Sequence, residues 1–386
     1  MRCTVAEARR AHHQKTGDSF FYGDPAITGV LQEALRCSGE VDRATHGFHS
    51  YPAGLHPDAA KLLLALGEGP VLDPFCGGGT VLVEALLAGR SALGLDISPV
   101  ATLVARSRTT RTDEAARTAL RSRARAIADH AKTVPFPRNA PEGADAWYHP
   151  GVIAELCAIR DGIAAESDKS TRELLRAVFS SILVKVSHRE SDTANRKVEQ
   201  SRAAGSTSIL FHARAREYGR QLEALEAGIP SGDIRARVHR EDVREFRSKE
   251  TFGMVVTSPP YPGVYDYLTM QQLRWMWLGI EPGSDSAELG SRRAFRLDRA
   301  AAVTRWRTDT LRWVRTVAKV LDQGGKMVVI LGDGWVGNRA VESLPPLLEA
   351  AEAAGLKVLA GCTAERWDEG SGGLRPEHAL LFQKSA

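Results

Sequence analysis

Between Pro70 and Asp96 the chain alternates strand, turn, helix and strand, a pattern that narrows the possible folds sharply. Pro70-Val71-Leu72-Asp73 is a short apolar run, the turn Pro74-Phe75-Cys76-Gly77-Gly78-Gly79-Thr80 carries three consecutive glycines, and 81–88 reads as a helix closed by Gly89. Ala92-Leu93-Gly94-Leu95-Asp96 is a second strand, ending in an acid. Such a unit is the nucleotide-binding half of a doubly wound α/β domain, whose ligand lies outside the carboxyl ends of the strands. The glycines let backbone approach that ligand, because no Cβ intervenes. Asp96 is placed to accept hydrogen bonds from ribose hydroxyls. The glycine spacing is not G-x-G-x-x-G, which disfavours a dinucleotide oxidoreductase.

A second constraint is Thr257-Ser258-Pro259-Pro260-Tyr261, which follows the apolar, β-branched run 252–256. That run reads as a buried strand. The two prolines end it, remove two backbone donors and fix the backbone, so that carbonyls and the Ser258 hydroxyl face a cleft. An acceptor cluster beside an aromatic ring suits a planar base whose amino group must give up protons, with Tyr261 as a stacking surface. An ordinary strand-ending loop is the plainer alternative.

The α/β pattern resumes with strands at 234–238, 326–331, 357–360 and 378–383, giving seven in all, and with helices at 58–66, 300–321 and 340–354. Between its two halves, 114–131, 149–164, 171–185 and 210–227 are helical by pattern, with a break at Pro135 and Pro137. Residues 1–45 read as polar and helical, anchored by Phe20-Phe21-Tyr22, and 45–57 is a loop rich in Gly, Pro and His. Gly263 beside Tyr265 and Tyr267 suggests a mobile flap over the site, leading into a helix at 268–278 that contains Trp275 and Trp277, and those aromatics are either flap or core.

Net charge is only +4, but it is unevenly spread. Residues 185–220 hold eight basic and four acidic side chains, and 292–315 hold eight arginines against Asp298 and Asp309. Such asymmetry suits a polyanion partner, and the candidate nucleic-acid contacts are Lys185, Arg189, Arg196, Lys197, Tyr265, Arg292, Arg293 and Arg296. Two solvated helix faces are the alternative. Five scattered cysteines without a C-x-x-C pair suggest reduced thiols, and His46, His49 and His56 lack companion ligands, so no metal is expected. With no apolar secretory segment at the N-terminus and no run long enough to span a bilayer, the cytoplasm is the expected compartment and no membrane partner is expected.

The stretch 73–80 resembles the first motif of S-adenosylmethionine-dependent amino-methyltransferases, and 257–261 resembles their catalytic motif. The form with serine before the two prolines is most typical of DNA cytosine-N4 methyltransferases; adenine-N6 enzymes more often carry Asp or Asn there. The 45–57 loop is similar to the cofactor-binding segment that precedes the first motif in several members. The resemblance covers roughly 46–106 and 236–386. It implies an α/β, Rossmann-like class I methyltransferase fold with a mixed seven-stranded sheet. The expected division is a helical extension at 1–45, a catalytic domain at 46–108 and 236–386, and a helical insertion at 109–235 as candidate target-recognition region.

Carried onto this chain, the resemblance implies S-adenosylmethionine as cofactor. Asp73, Phe75, Gly77, Gly79 and Thr80 would lie around its methionine part and Asp96 on its ribose. Asp242 would meet its adenine amino group, with Glu241 as the neighbouring alternative. It implies catalysis by Ser258, Pro259, Pro260 and Tyr261, with double-stranded DNA as partner. An RNA guanine-N2 or adenine-N6 methyltransferase, a non-catalytic binding module, and methylation of a protein glutamine or a small molecule remain as other readings.

Overall fold

Ten strands appear in the computed structural model, which describes residues 20–134, 139–194, 196–199, 202–281, 288–336, 339–368 and 373–385. They are β1 (Phe20–Gly23), β2 (Val71–Asp73), β3 (Ala92–Asp96), β4 (Ala236–Arg240), β5 (Phe252–Thr257), β6 (Leu321–Gly332), β7 (Gly334–Val336), β8 (Arg339–Val341), β9 (Leu356–Asp368) and β10 (Gly373–Lys384). The expected helix over 1–19 and the break at Pro135 and Pro137 lie outside the described residues.

One sheet runs β1-β9-β10-β6-β5-β2-β3-β4, and β7 and β8 form a separate hairpin. Strands β4, β3, β2, β5 and β6 are parallel, whereas β10 is antiparallel to β6 and to β9. Without β1 this is a seven-stranded, mostly parallel, mixed sheet, the Rossmann-like class I arrangement. Chain order reverses at β2: β3 and β4 continue to one side, and β5 returns to the other. A crevice opens at such a switch point beyond the carboxyl ends of the strands.

The sheet is buried on both faces. Met327 to Leu331 of β6 are at most 3% exposed, as a parallel strand between two helical layers must be. Helices Arg299–Val320 and Leu344–Ala353 cover one face through Trp313, Val317 and Leu347. Helices Pro25–Arg36, Pro57–Leu64 and Thr80–Leu87 cover the other through Leu31, Leu63 and Leu82.

Three expectations change. Phe20–Gly23 is not helical but an eighth strand, antiparallel to β9, which covers an edge otherwise left with unpaired backbone groups. The helix expected at 340–354 begins at Leu344, because Pro345 and Pro346 are tolerated only in a first turn, and β8 takes up its start. Strands β9 and β10 run longer than expected, pairing antiparallel over Leu356–Asp368 and Gly373–Lys384.

Four helices of 109–235, Glu114–Ala131, Pro150–Ala164, Lys169–Leu183 and Ser206–Gly228, share one apolar cluster around Leu156, Leu175, Phe179 and Leu222. Phe48 from the Gly/Pro/His loop enters that cluster and stacks on Tyr218 at 3.6 Å between ring centroids. Leu273 and Trp277 enter it from helix Gln272–Leu278. Trp277 is therefore core, 1% exposed. Among the described residues no helix is long and apolar enough to cross a membrane.

Candidate functional site

The carboxyl ends of β2, β3 and β5 and the residues after β4 converge on one cleft of about 1030 Å³, a figure that counts the solvent at its mouth. Its lining includes Tyr51 to Leu55, Asp73 to Gly78, Thr80, Asp96 to Ser98, Glu241 to Arg244, Ser258, Pro260, Tyr267, Glu288 and Leu289.

The glycine turn is shaped by two acids. Asp73 Oδ1 accepts from the Phe75 amide at 3.2 Å and from the Thr257 hydroxyl at 2.8 Å, which stitches β2 to β5 across the switch point. Asp96 accepts from the amides of Gly77 at 3.0 Å and Ser98 at 2.8 Å. Asp73 is buried and Asp96 half-buried, and among the described residues neither has a cation partner. Desolvation therefore raises Asp73 to about 7, against the hydrogen bonds from Thr257 and Phe75, and raises Asp96 to about 6. Buried carboxylates perturbed in this way, in a cleft, mark a place for donors and positive charge from a ligand.

Gly79 does not line the cleft. It caps helix Thr80–Leu87 with φ at +81°, and a Cβ there would lie 2.9 Å from the Ala105 Cα. Its role in the fold is thus close packing of turn against helix, while Phe75, Gly77 and Thr80 reach the cleft surface. Phe75 is held edge-on to Trp313 at 5.4 Å.

The far end of the cleft is built differently. Asp242 takes a forked contact from Arg244, with Nη2 2.6 Å from Oδ2 and Nε 3.0 Å from Oδ1. Arg244 also lies 2.8 Å from the buried Asp309 of helix Arg299–Val320. Although burial opposes it, Arg244 holds the Asp242 carboxyl below its ordinary value. Glu241 lines the same end, and its amide donates to the Asp96 carbonyl at 3.1 Å.

Of the serine-proline turn, Ser258 and Pro260 line the cleft, whereas Pro259 and Tyr261 do not. The Tyr261 hydroxyl donates to Glu377 Oε1 at 2.9 Å. Tyr265 and Tyr267 form a tilted pair at 5.6 Å, and only Tyr267 lines the cleft.

No individual cleft residue in the 45–57 loop is marked by the sequence, yet Tyr51 lies over Gly77 and shares the cleft wall with Ser98. A Gly/Pro/His loop directly before the first motif was the available signal. The loop is clamped on both sides. His46 Nε2 lies 2.6 Å from Glu84 Oε1, His49 Nε2 lies 2.9 Å from the Ser180 hydroxyl, and His56 caps helix Pro57–Leu64. Arg108 bonds the carbonyls of Gly78 and His49.

The expected nucleic-acid contacts divide. Arg189 is a correction: it is 2% exposed, and its guanidinium bonds the Met270 carbonyl at 2.9 Å, tying the 187–197 loop to the segment before helix Gln272–Leu278. A buried guanidinium with that task cannot reach phosphate. Lys185, Arg196 and Lys197 are exposed, although Arg196 is forked to Glu190 and Lys197 lies over the Trp147 ring at 5.0 Å. Arg292, Arg293 and Arg296 are exposed on helix Arg292–Leu297, whose first amides bond the Tyr265 carbonyl and the Asp266 carboxylate. Arg305, Arg307 and Arg312 of the neighbouring helix are partly neutralised by Asp309 and Glu349.

Residues 49–131 match the family UPF0020, described as an RMKL-like methyltransferase domain. The type II methyltransferase M.MvaI of Kocuria varians is 27% identical over 272 residues, which are 61% of this chain and 58% of that protein. The chain thus spans somewhat over half the length of the curated relative it matches. Two solved structures also align: TrmN from Thermus thermophilus, at 12% identity and a TM-score of 0.32 over 85% of this chain and 48% of that one, and the rRNA methyltransferase aviRa from Streptomyces viridochromogenes, at 15% identity and 0.32 over 87% and 88%. Scores this low carry no argument, and the fold assignment rests on strand order and on the match over 49–131. The chain carries a Rossmann-like class I methyltransferase domain, and S-adenosylmethionine is its cofactor.

Proposed function

We propose that this chain methylates the exocyclic amine of a base in double-stranded DNA, with cytosine N4 favoured over adenine N6. The observation that carries the reading is the place of the Ser-Pro-Pro-Tyr turn. It leaves β5 beside β2, and Ser258 and Pro260 share one cleft with Asp73, Gly77 and Asp96. The similarity to a type II methyltransferase supports the choice of DNA.

The cleft suits the cofactor on its own chemistry. Asp73, Phe75, Gly77 and Thr80 would hold the methionine part, Gly79 supporting the turn from behind. Asp96 would accept from the ribose hydroxyls, and Asp242, with Glu241 beside it, from the adenine amine. When bound, the cofactor supplies an electrophilic methyl group on a positively charged sulfur. Asp73 and Asp96, neither paired with a cation among the described residues, match that charge.

The protein's task is then alignment. An exocyclic amine is a weak nucleophile because its lone pair is delocalised into the ring. The Ser258 hydroxyl and the Pro259 carbonyl would accept its two protons, favouring a tetrahedral nitrogen whose lone pair can attack, with Tyr261 against the ring. A duplex base must first leave the helix. Lys185, Arg196, Lys197, Arg292, Arg293 and Arg296 would contact phosphate, giving affinity that falls steeply with salt, and Tyr265 would add an aromatic surface.

The test is methyl transfer from labelled S-adenosylmethionine to mixed duplex DNA and to total RNA, with nucleoside analysis and Ser258→Ala and Tyr261→Ala controls. N4-methylcytosine in DNA, lost in both controls, is expected. N6-methyladenine in DNA would correct the base, and label confined to RNA would overturn the choice of DNA.

A further inference from the structure

We propose that Glu377 is the terminal proton acceptor of the transfer, reached from the target amine through Ser258 and Tyr261. The inference rests on the amino-methyltransferase reading above. It starts from a residue that no motif marks: Glu377 lies on β10, 116 positions from Tyr261, and register alone brings it there. Its pairing partner on β6 is Gly332, and Tyr261 lies against that same glycine. A Cβ at Gly332 would sit 2.5 Å from the Tyr261 ring, so the ring packs close against β6 backbone, and its hydroxyl reaches the carboxylate.

Three side chains form a continuous line. The Tyr261 hydroxyl donates to Glu377 Oε1 at 2.9 Å, and Ser258, three residues earlier on the same turn, has its side chain near enough to the phenol to favour its ionised form. Ser258 is on the cleft wall and Glu377 is 5% exposed behind it. Arg366 closes the line from outside, donating to Glu377 Oε1 at 3.1 Å with its side chain 43% exposed. A buried carboxylate is costly unless paired, and Arg366 supplies the pairing charge.

Methyl transfer creates the need for such an acceptor. The amine lone pair forms the new bond to the methyl carbon, the carbon–sulfur bond breaks, and its electron pair stays on sulfur. The nitrogen is left positive, with two protons and a methyl group. It gives one proton to Ser258 Oγ as the Ser258 proton moves to Tyr261 Oη and the Tyr261 proton moves to the Glu377 carboxylate. The product amine is then neutral, and Glu377 loses its proton to solvent at the Arg366 rim. No other reactant is required.

The experiment uses the full chain with labelled S-adenosylmethionine, mixed duplex DNA and total RNA. Turnover is followed against pH for the wild type, E377Q, Y261F and the double variant, and cofactor affinity is measured by equilibrium dialysis. E377Q can still accept the Tyr261 hydrogen bond but cannot accept a proton. We expect cofactor affinity to be unchanged and turnover to fall about 100-fold, in the range of general-base effects. The acid limb of the wild-type profile should vanish, and the double variant should be no slower than either single one.

A loss of turnover with an unaltered pH profile assigns Glu377 to holding the ring alone and overturns the relay, as does wild-type turnover in E377Q. Should E377Q fail to bind cofactor, Y261F decides alone, since it leaves the Glu377–Arg366 pair in place. If the wild-type product is an N-methylated base while these variants behave as wild type, only the relay fails. If the wild type labels a ring carbon or no nucleic acid, the reading beneath it fails as well.

Discussion

The two ends of the cleft hold carboxylates by opposite means. At the glycine turn, Asp73 and Asp96 are bound by backbone amides and one hydroxyl, with no cation, and burial raises both. At the other end Asp242 is forked to Arg244, which is itself anchored on Asp309, and it stays low. The first end stores unfavourable charge that a cationic ligand relieves, so binding and stability are coupled there. The second end is electrostatically complete before any ligand arrives. It offers fixed acceptors rather than a demand for charge.

The sharpest way to break this contrast is Asp73→Asn. A folded-state value raised from 3.8 to about 7 means that, between those pH values, the unfolded chain has released a proton that the native state still holds. Stability of the cofactor-free protein should therefore fall as pH rises through that window, by as much as about 4 kcal/mol at pH 8. Asn keeps an oxygen for Phe75 and Thr257 but cannot ionise. The variant should be more stable than wild type at pH 8, about equal at pH 4, and weaker toward S-adenosylmethionine. Thermal unfolding against pH, with and without cofactor, measures all three, and parallel curves for the two proteins would end the argument.

Arg244→Met probes the complete end. Among the described residues it leaves buried Asp309 with the more distant cations of Arg305 and Arg312, and should cost about 3 kcal/mol in denaturant unfolding. Cofactor affinity should fall in parallel, because Asp242 loses its fork. Unchanged affinity would show that the ion network serves the fold alone.

Asp96→Ala removes the acceptor assigned to the ribose. Hydrogen bonds to a charged group are worth about 1.5–3 kcal/mol, so the cofactor Kd should rise about 10- to 100-fold while turnover at saturation holds. A low turnover with normal Kd would move Asp96 from binding to the fold of the turn. The smallest effect is expected of Glu241→Gln, within about threefold in Kd, since its side chain is 37% exposed. A larger loss than from Asp242→Asn would transfer the adenine contact to Glu241.

Much of this site was legible in the sequence, for reasons that differ from residue to residue. The turn at Gly77 to Gly79 and the acid ending β3 are local patterns, and a chain that must return parallel over a helix places them at the same sheet end. The Ser258 turn announces itself by two prolines after a β-branched run. Helix Glu114–Ala131 was read to its exact bounds because an amphipathic repeat with an Asp cap is also local. Arg189 differs because its neighbours in the chain are those of a surface loop, and only a partner 81 positions away, the Met270 carbonyl, holds its guanidinium inside. Tyr51 was not singled out, since nothing near it in the chain shows that Gly77 lies beneath its ring.

What the sequence determined by itself was therefore period and punctuation: which segments are strand or helix, where glycine and proline interrupt them, and which acids end the strands. Those follow from interactions within a few residues. The tertiary structure decided the rest. It made Phe20–Gly23 a strand by offering it the open edge of β9, set the charge state of Asp73 by excluding water, and brought Glu377 to Tyr261 through the register of β10 on β6. Each depends on surfaces far apart in the chain meeting in one place, and desolvation and strand register exist only once they have met.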